Sequence, residues 1–257
     1  MALENELMHH IKCKIGDVGR YVLLPGDPGR VAKIATYLDN AIHVQTNREY
    51  EVWTGYLDGE KVSVMSTGMG GPSAAIGIEE LKMIGSDTFI RIGTCGGIDP
   101  ELEPGTLIIP TGAIRKDGTG REYVPIEFPA VPNFDLVSAL RNAAKKLQKK
   151  SALGIVECKD SYYGQHAPER IPAKYELLQK WEAWKIAGAI GSEMESSTLF
   201  IVASVLRVRC ATVLLLCRNR EREDKYNTGL IRETDTTDAI QTAIQALKTI
   251  IAEDKRS

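Results

Sequence analysis

The chain has 257 residues, of which 43% are apolar and 26% charged, and its formal net charge is -2 at pH 7. These values are typical of a globular α/β protein, and no linker-like stretch divides the chain, so we expect one domain over residues 1–257. The near-neutral charge gives no electrostatic basis for a nucleic acid partner. Because no apolar run reaches the roughly 18 residues of a membrane span and the N-terminus lacks the apolar core of a secretory signal, we expect a cytoplasmic protein without a membrane partner.

The cysteines are odd in number and scattered, and no C-x-x-C pair occurs. Most of them lie in apolar runs, which favours reduced thiols over a disulfide framework and gives no sign of a zinc site.

The first strongly patterned stretch predicts a strand, a turn and a helix. An apolar strand over residues 21–24 meets the sequence PGDPGR (25–30), after which VAKIATYL (31–38) has helical apolar spacing. Gly26 leaves room for an anion at the turn, and Arg30 lies near the positive end of the helix dipole. An ordinary turn with a solvated Arg30 is the alternative interpretation.

A second strand also ends in glycines. Residues 51–57 and 61–66 form a predicted hairpin joined at Asp58-Gly59, a strong hairpin signal. The second of these strands ends in the glycine-rich turn 68–71, and a helix begins near Pro72.

The third occurrence is the sequence FIRIGTCGG, in which an apolar strand carrying Arg91 (89–92) runs into a predicted turn over residues 93–97. Glycines let the backbone approach a ligand closely, and an arginine beside the hydroxyl of Thr94 suits an oxyanion such as phosphate. Three such strand ends predict one composite site, because parallel strands of α/β proteins carry their sites at their carboxyl ends. For FIRIGTCGG alone, an edge-strand arginine and a tight connection explain the pattern equally well.

The rest of the chain continues the alternation of strands and helices. Predicted strands cover residues 106–110, 153–157 and 211–217. Predicted helices cover residues 135–147, 174–186, 191–206 and 238–251, with Trp181 and Trp184 expected to pack.

The loop KDSYYGQHAPER (159–170) is rich in side chains that could stack on and hydrogen-bond a flat heterocycle. These are Tyr162, Tyr163, Gln165, His166 and Arg170. A solvated surface loop is the alternative.

Acidic residues mark the predicted helix 191–206. Ser192 is expected to cap it, which places Glu193, Met194 and Glu195 in its first turn. A carboxylate there could accept hydrogen bonds from a sugar diol, or could simply pair with the helix dipole.

Seven motifs together carry a family resemblance. LLPGDPGR, NREYEVWTG, STGMGGPS, RIGTCGG, EFPA, YYGQ and SEMES, in this order and at these distances, resemble the trimeric and hexameric nucleoside phosphorylases, most closely their uridine-specific branch. The resemblance runs from about His10 to the last helix. It implies a three-layer α/β/α sandwich around a mixed, partly barrel-like sheet. It also implies an enzyme that converts a ribonucleoside and inorganic phosphate to the free base and ribose 1-phosphate, without a metal or organic cofactor.

The resemblance also assigns residues. The implied phosphate ligands are Gly26, Arg30, Arg48, Arg91 and Thr94. The implied ribose contacts are Glu193, Met194, Glu195 and His10, with His9 as the adjacent alternative. The implied base contacts are Tyr162, Gln165 and Arg220, with His166 or Arg170 as further candidates. Arg48 and His10 are expected to come from a partner subunit, in a hexamer built as a trimer of dimers. Some members hold potassium at the dimer interface, in a place matched here by Glu49, Met69 and Ser73.

The chemistry explains these residue types. Breaking an N-glycosidic bond builds positive charge on the ribose while the base leaves as an anion, so positioning and preorganised charge do most of the work. Arg91 and Thr94 would fix phosphate beneath the sugar, Glu195 would anchor the ribose hydroxyls, and Gln165 would hold the pyrimidine edge. These four residues are the predicted catalytic set.

Two departures from the family pattern bear on the base. Ala167 stands where the pyrimidine enzymes have an arginine, so which residue replaces that cation stays open. Asn219 and Arg220 stand where the purine enzymes have an aspartate, which favours a pyrimidine. The alternatives are a purine nucleoside phosphorylase, a related hydrolase, or a catalytically silent nucleoside-binding homologue. A hydrolase has no use for the phosphate arginines, and a silent homologue has no use for a complete phosphate clamp.

Overall fold

A computed structural model describes residues 6–256. Its strands are β1 (Tyr21–Pro25), β2 (Asp39–Asn47), β3 (Tyr50–Leu57), β4 (Glu60–Met65), β5 (Thr88–Gly97), β6 (Leu107–Lys116), β7 (Ser151–Lys159), β8 (Gly191–Glu193) and β9 (Arg209–Arg218). Its α-helices are α1 (Val31–Ala35), α2 (Gly71–Met83), α3 (Thr119–Tyr123), α4 (Phe134–Lys146), α5 (Tyr162–His166), α6 (Lys174–Ile186), α7 (Ser196–Leu206), α8 (Arg220–Tyr226) and α9 (Thr237–Asp254).

The strands form one mixed sheet in the order β2-β3-β4-β1-β5-β8-β7-β6-β9, and β9 also pairs with β5. This last pairing closes β5, β8, β7, β6 and β9 into a five-stranded barrel. The β1, β5 and β9 strands are parallel, so their carboxyl ends meet at one edge. Strand β4 is parallel to β1 as well, so that edge carries all three predicted glycine-rich segments.

Helices cover both faces of the sheet. On one face, α1, α4 and α9 bury apolar residues such as Ile34, Leu140 and Leu247 against the strands. On the other face, α2 and α7 bury Ile78 and Leu199, among others. At roughly 25 cal/mol per Å² of buried apolar surface, these two cores are the main favourable term in folding. The arrangement confirms the predicted three-layer fold with a partly barrel-like sheet.

Helix α4 shows how the local sequence sets an element. Asn133 caps it by accepting a hydrogen bond from the amide of Leu136, at 3.1 Å. Leu136, Leu140 and Ala143 then fall on the buried side at helical spacing. Lys145 and Lys146 lie in its last turn, where a positive charge complements the helix dipole.

Several predicted elements were placed wrongly. Residues 93–97 are not a turn, because the glycine-rich end of β5 remains a strand that pairs with β8 and β9 to close the barrel. Ser192 does not cap a helix, because Gly191–Glu193 is a short strand between β5 and β7. The helix therefore begins later, at Ser196. Residues 36–38 lie outside α1, which ends at Ala35.

Some elements were not predicted. These are β2, α3, α5 and α8. Helix α6 was predicted correctly, but it has no buried residue, so Trp181 and Trp184 are only partly buried. Within residues 6–256, no helix is both long and apolar enough to cross a membrane.

Candidate active site

A cleft of about 1390 Å³ opens at the carboxyl ends of the central strands. Most of the predicted site residues line it, namely Gly26, Arg30, Glu49, Met69, Ser73, Arg91, Thr94, Tyr162, Gln165, His166, Glu193, Met194, Glu195 and Arg220. The structure thus brings together residues from nearly the whole length of the chain. Arg48, His10 and Arg170 lie outside the cleft lining.

Arg91 is the centre of the cleft floor. The residue is 4% exposed, and its guanidinium donates through Nε to Glu193, at 3.2 Å, and through Nη2 to Glu195. Burial alone would lower the pKa of Arg91, but the charges of Glu195 and Glu193 raise it above its ordinary value, so the residue stays a cation. The remaining nitrogen, Nη1, has no hydrogen-bond partner among the described residues.

The two carboxylates beside Arg91 have different surroundings. Glu193 accepts hydrogen bonds from the amides of Glu195, at 3.0 Å, and Ser196, at 2.8 Å, and so fixes the start of α7. Glu195 instead reaches across to accept from the amide of Gly70, at 2.7 Å. Burial raises the pKa of Glu195, although Arg91 acts in the opposite direction. Glu193 is therefore bound to local backbone, whereas Glu195 joins α7 to the turn before α2.

The end of the cleft near Gly26 and Arg30 holds a second unpaired guanidinium nitrogen. Arg30 Nη1 is buried without a partner among the described residues, and its Nε lies 3.6 Å from Asp27 Oδ2. Burial and the nearby charge of Arg91 lower the pKa of Arg30. A β-carbon on Gly26 would lie 3.6 Å from Arg91 Nη1, so the glycine keeps that space open. Two cations, each with a buried and unpaired guanidinium nitrogen, make this end complementary to an anion.

The opposite end of the cleft is formed by α5. Ser161 caps this helix by accepting from the amide of Gly164, at 3.0 Å. The rings of Tyr162 and His166 have centroids 4.2 Å apart, and Arg220 donates to the His166 carbonyl at 3.1 Å. Burial, followed by the charge of Arg220, lowers the pKa of His166 to about 4. The imidazole is therefore neutral at pH 7.

Gln165 is tied to a buried polar group that the sequence interpretation missed. Its Oε1 lies 3.0 Å from Ser192 Oγ, which also bonds to Glu157 and to Lys159. Lys159 and Glu157 are both buried and both line the cleft. The shared face of Glu157 and Lys159 follows from their spacing on one strand, but the predicted strand stopped at 157. Their meeting with Ser192 depends on the pairing of β7 with β8. Trp181 and Trp184 also line the cleft.

The predicted residues outside the cleft have other neighbours. Arg170 is exposed and lies over the ring of Tyr163, at 4.7 Å from its centroid. His10 bonds through Nδ1 to Glu80, at 2.6 Å. Arg48 is exposed at the tip between β2 and β3, with a positive φ of 55°. Their roles stay predictions.

The predicted potassium residues Glu49 and Ser73 are in contact, at 2.5 Å. Ser73 Oγ also lies 2.6 Å from the Thr67 carbonyl, so its one proton is shared between these two acceptors. The side chain of Met69 is largely exposed. Carboxylate, hydroxyl and carbonyl oxygens are suitable ligands for a hard cation.

Comparison with known proteins identifies the family. The model of the Phosphorylase superfamily matches residues 20–253. The chain is 50% identical to the uridine phosphorylase of Treponema pallidum, over 96% of this chain and 95% of that protein. It is 34% identical to the uridine phosphorylase of Escherichia coli, over 89% and 91% of the two chains. The chain belongs to the phosphorylase superfamily. A guanosine phosphorylase of Halorubrum lacusprofundi is also 35% identical, over 79% of this chain and 80% of its own.

Family membership confirms the resemblance seen in the sequence motifs. Arg30 and Arg91 each have a buried Nη1 without a hydrogen-bond partner among the described residues, and the carboxylate of Glu195 is paired with Arg91.

Proposed function

We propose that this phosphorylase is a pentosyltransferase that cleaves uridine with inorganic phosphate, giving uracil and ribose 1-phosphate, with deoxyuridine or thymidine as further substrates. The observation that carries the proposal is the position of Arg91. Its Nη2 is paired with Glu195 while its Nη1 is buried and unpaired beside Arg30. A phosphate held there lies next to the carboxylate that would bind the ribose. The named uridine phosphorylases, matched over most of their length, support uridine as the nucleoside.

The bond changes follow from this placement. An oxygen of hydrogen phosphate forms a bond to the anomeric carbon as the bond from that carbon to the base nitrogen breaks. The electron pair of the broken bond stays with the base, and the proton of hydrogen phosphate ends on it through solvent. Arg30, Arg91 and Thr94 position the phosphate, and Glu195 fixes the sugar over it. No metal or organic cofactor enters these steps.

The ribose and base contacts complete the proposal. Met194 forms a wall beside the ribose, with Glu193 fixing the chain beneath it. Tyr162 and Gln165 would contact the pyrimidine, with Arg220 at the rim of the cleft. Asn219 donates to the carbonyls of Asp99 and Leu102, at 2.7 and 2.8 Å, and accepts from the amide of Arg222, at 3.2 Å. Its side chain therefore ties the start of α8 to the segment 99–102.

The assembly is part of the proposal. Arg48 and His10 would enter the cleft of a partner subunit, so that a dimer is the smallest unit with complete sites and a hexamer is a trimer of such dimers. Exposed Arg48, outside its own cleft, supports this arrangement. Glu49, Met69 and Ser73 would hold a potassium ion near that interface. We place the enzyme in the cytoplasm.

The deciding experiment measures base release from uridine, inosine and guanosine, each with and without inorganic phosphate. We expect release from uridine only when phosphate is present. Phosphate-dependent release from a purine nucleoside instead would establish the purine alternative. Release without phosphate would indicate a hydrolase, and binding of uridine without turnover would indicate a silent homologue.

A further inference from the structure

The buried group of Glu157, Lys159 and Ser192 lies in the cleft and has no role in the phosphate or ribose contacts described above. Lys159 is 4% exposed and Glu157 is 1% exposed. The Lys159 ammonium donates to Ser192 Oγ and lies 3.4 Å from Glu157 Oε2. Burying a lysine and a glutamate together costs free energy unless they are paired and hydrogen-bonded. Even when they are paired, apolar residues of similar volume would stabilise the fold equally well. A buried pair facing a ligand cleft therefore points to a function.

Strand pairing brings these three residues together. Glu157 and Lys159 lie on one face of β7, two positions apart, and Glu157 is in register with Ser192 on β8. Ser192 is in register with Gly96 at the end of β5. The group thus lies on the barrel wall, on β7, which leads into α5, and on β8, which pairs with the strand that carries Arg91.

The hydrogen bonds leave capacity for a ligand. An ammonium has three N–H donors, and the contacts to Ser192 and Glu157 use two of them. Ser192 Oγ has one proton but lies near two acceptors, Glu157 Oε2 and Gln165 Oε1. The Ser192 hydroxyl consequently links the Lys159 ammonium to Gln165, the side chain proposed to bind the pyrimidine edge.

Other cations near the base end are less suitable. Arg170 is stacked on Tyr163 outside the cleft, and Arg220 is exposed and engaged with the carbonyl of His166. His166 is neutral at pH 7, since its pKa is lowered to about 4. The ammonium of Lys116 lies 5.2 Å from the centre of the Trp184 ring. Among the cleft-lining residues at this end, Lys159 is the buried cation joined to Gln165.

We propose that Lys159 donates a hydrogen bond to an exocyclic carbonyl oxygen of the pyrimidine and stabilises the negative charge that forms there as the base leaves. It would take the place of the arginine that Ala167 replaces in the loop. Glu157 balances the charge of the lysine, and the Ser192 hydroxyl links it to Gln165. The step transfers no proton from Lys159: the electron pair of the broken glycosidic bond spreads onto the carbonyl oxygens, where the ammonium meets it. This inference rests on the proposed uridine phosphorolysis.

The test uses Lys159→Met with two substrates, uridine and 5-fluorouridine. Fluorine withdraws electrons and stabilises the departing base anion, so the fluorinated substrate depends less on a cation at the carbonyl. We expect kcat/KM for uridine to fall by at least about a hundredfold, as when a preorganised charge contact is lost, and by clearly less for 5-fluorouridine. The KM for phosphate should stay near the wild-type value, because the phosphate end of the cleft is unchanged.

Two further variants keep the outcome interpretable. The double variant Glu157→Gln/Lys159→Met removes both charges together, so it avoids an unpaired buried carboxylate and should show the same selective loss. Lys149→Met removes a lysine that is paired with Asp238, at 2.6 Å, and does not line the cleft, so it should behave as wild type.

Equal losses with the two substrates, or near-normal turnover of uridine by Lys159→Met, would overturn the role of Lys159 while leaving the proposed function intact. A wild-type enzyme without phosphate-dependent release of uracil would instead overturn the proposed function and this inference with it.

Discussion

Arg91 and Glu195 are 104 positions apart in the chain, and the Nη2 group of one donates to the carboxylate of the other on the cleft floor. Both side chains are almost fully buried. The pair joins the end of the cleft proposed for phosphate to the end proposed for ribose. A change at either residue is therefore expected to affect both substrates.

Replacement of Arg91 should abolish most of the activity. We expect Arg91→Ala to lower kcat by at least about a hundredfold, since it removes a preorganised charge at the reacting centre. Arg91→Lys should also lose most activity, because one ammonium cannot serve Glu193, Glu195 and an anion in the same geometry. Steady-state kinetics with varied phosphate checks both variants. Arg20→Ala, at an exposed pair with Asp87, is the matched control and should be unaffected. Near-normal turnover by Arg91→Ala would remove the residue from the mechanism.

Replacement of Glu195 by glutamine separates charge from shape. The amide oxygen of Glu195→Gln can still accept from Gly70, at 2.7 Å in the wild type, but the variant leaves Arg91 paired with Glu193 alone. We expect a loss of about 3 kcal/mol in the free energy of unfolding, at the low end for a broken buried ion pair, because one carboxylate remains. We also expect a rise in the KM for uridine. Urea denaturation and initial-rate kinetics measure the two effects, and an unchanged KM would argue against a ribose contact.

Much of the candidate site was predictable from the order and spacing of motifs, because each of Gly26, Arg91 and Gln165 sits in a short local pattern. The buried group of Glu157, Lys159 and Ser192 could not be predicted in this way. Glu157, Lys159 and Ser192 meet only because β8 pairs with β7 on one side and β5 on the other. Pairing between strands that are tens of residues apart leaves no local signal. Ser192 was therefore assigned as a helix cap, which its sequence neighbours allow and its strand partners prevent.

The fold itself shows the same limit at the glycines of β5. A run such as GTCGG locally favours a turn, since glycine is poorly suited to a strand interior. Here it stays extended because Gly96 and Gly97 pair with β8, and a β-carbon on Gly97 would lie 2.4 Å from the Asn219 side chain. The close approach of Gly97 to Asn219 therefore fixes the extended conformation of this segment. That contact exists only in the closed barrel, so the local sequence does not reveal it.

His166 should make stability depend on pH. The pKa of His166 is about 4 in the folded protein, whereas an unperturbed histidine, as in the unfolded chain, has a pKa of 6.5. The unfolded chain therefore binds the proton first as the pH falls. Stability from this residue is fully present above pH 6.5 and is lost progressively down to pH 4. After solvent screening we expect a loss of roughly 1–2 kcal/mol over that window. Urea denaturation of wild type and His166→Gln at pH 7 and pH 5 isolates the contribution, and an identical pH dependence of the two proteins would contradict it.

Shared sites predict that two inactive variants restore each other. In a mixed dimer of Arg48→Ala and Arg91→Ala subunits, one cleft receives both mutations and the other receives neither, provided that Arg48 acts in the partner's cleft. Random pairing makes half of the dimers mixed, so about one quarter of wild-type activity should return for a symmetric two-site dimer. The measurement is uracil release after the two proteins are unfolded and refolded together, compared with each refolded alone. If Arg48 served its own subunit, both clefts of the mixed dimer would be damaged, and the mixture would stay as inactive as its parents.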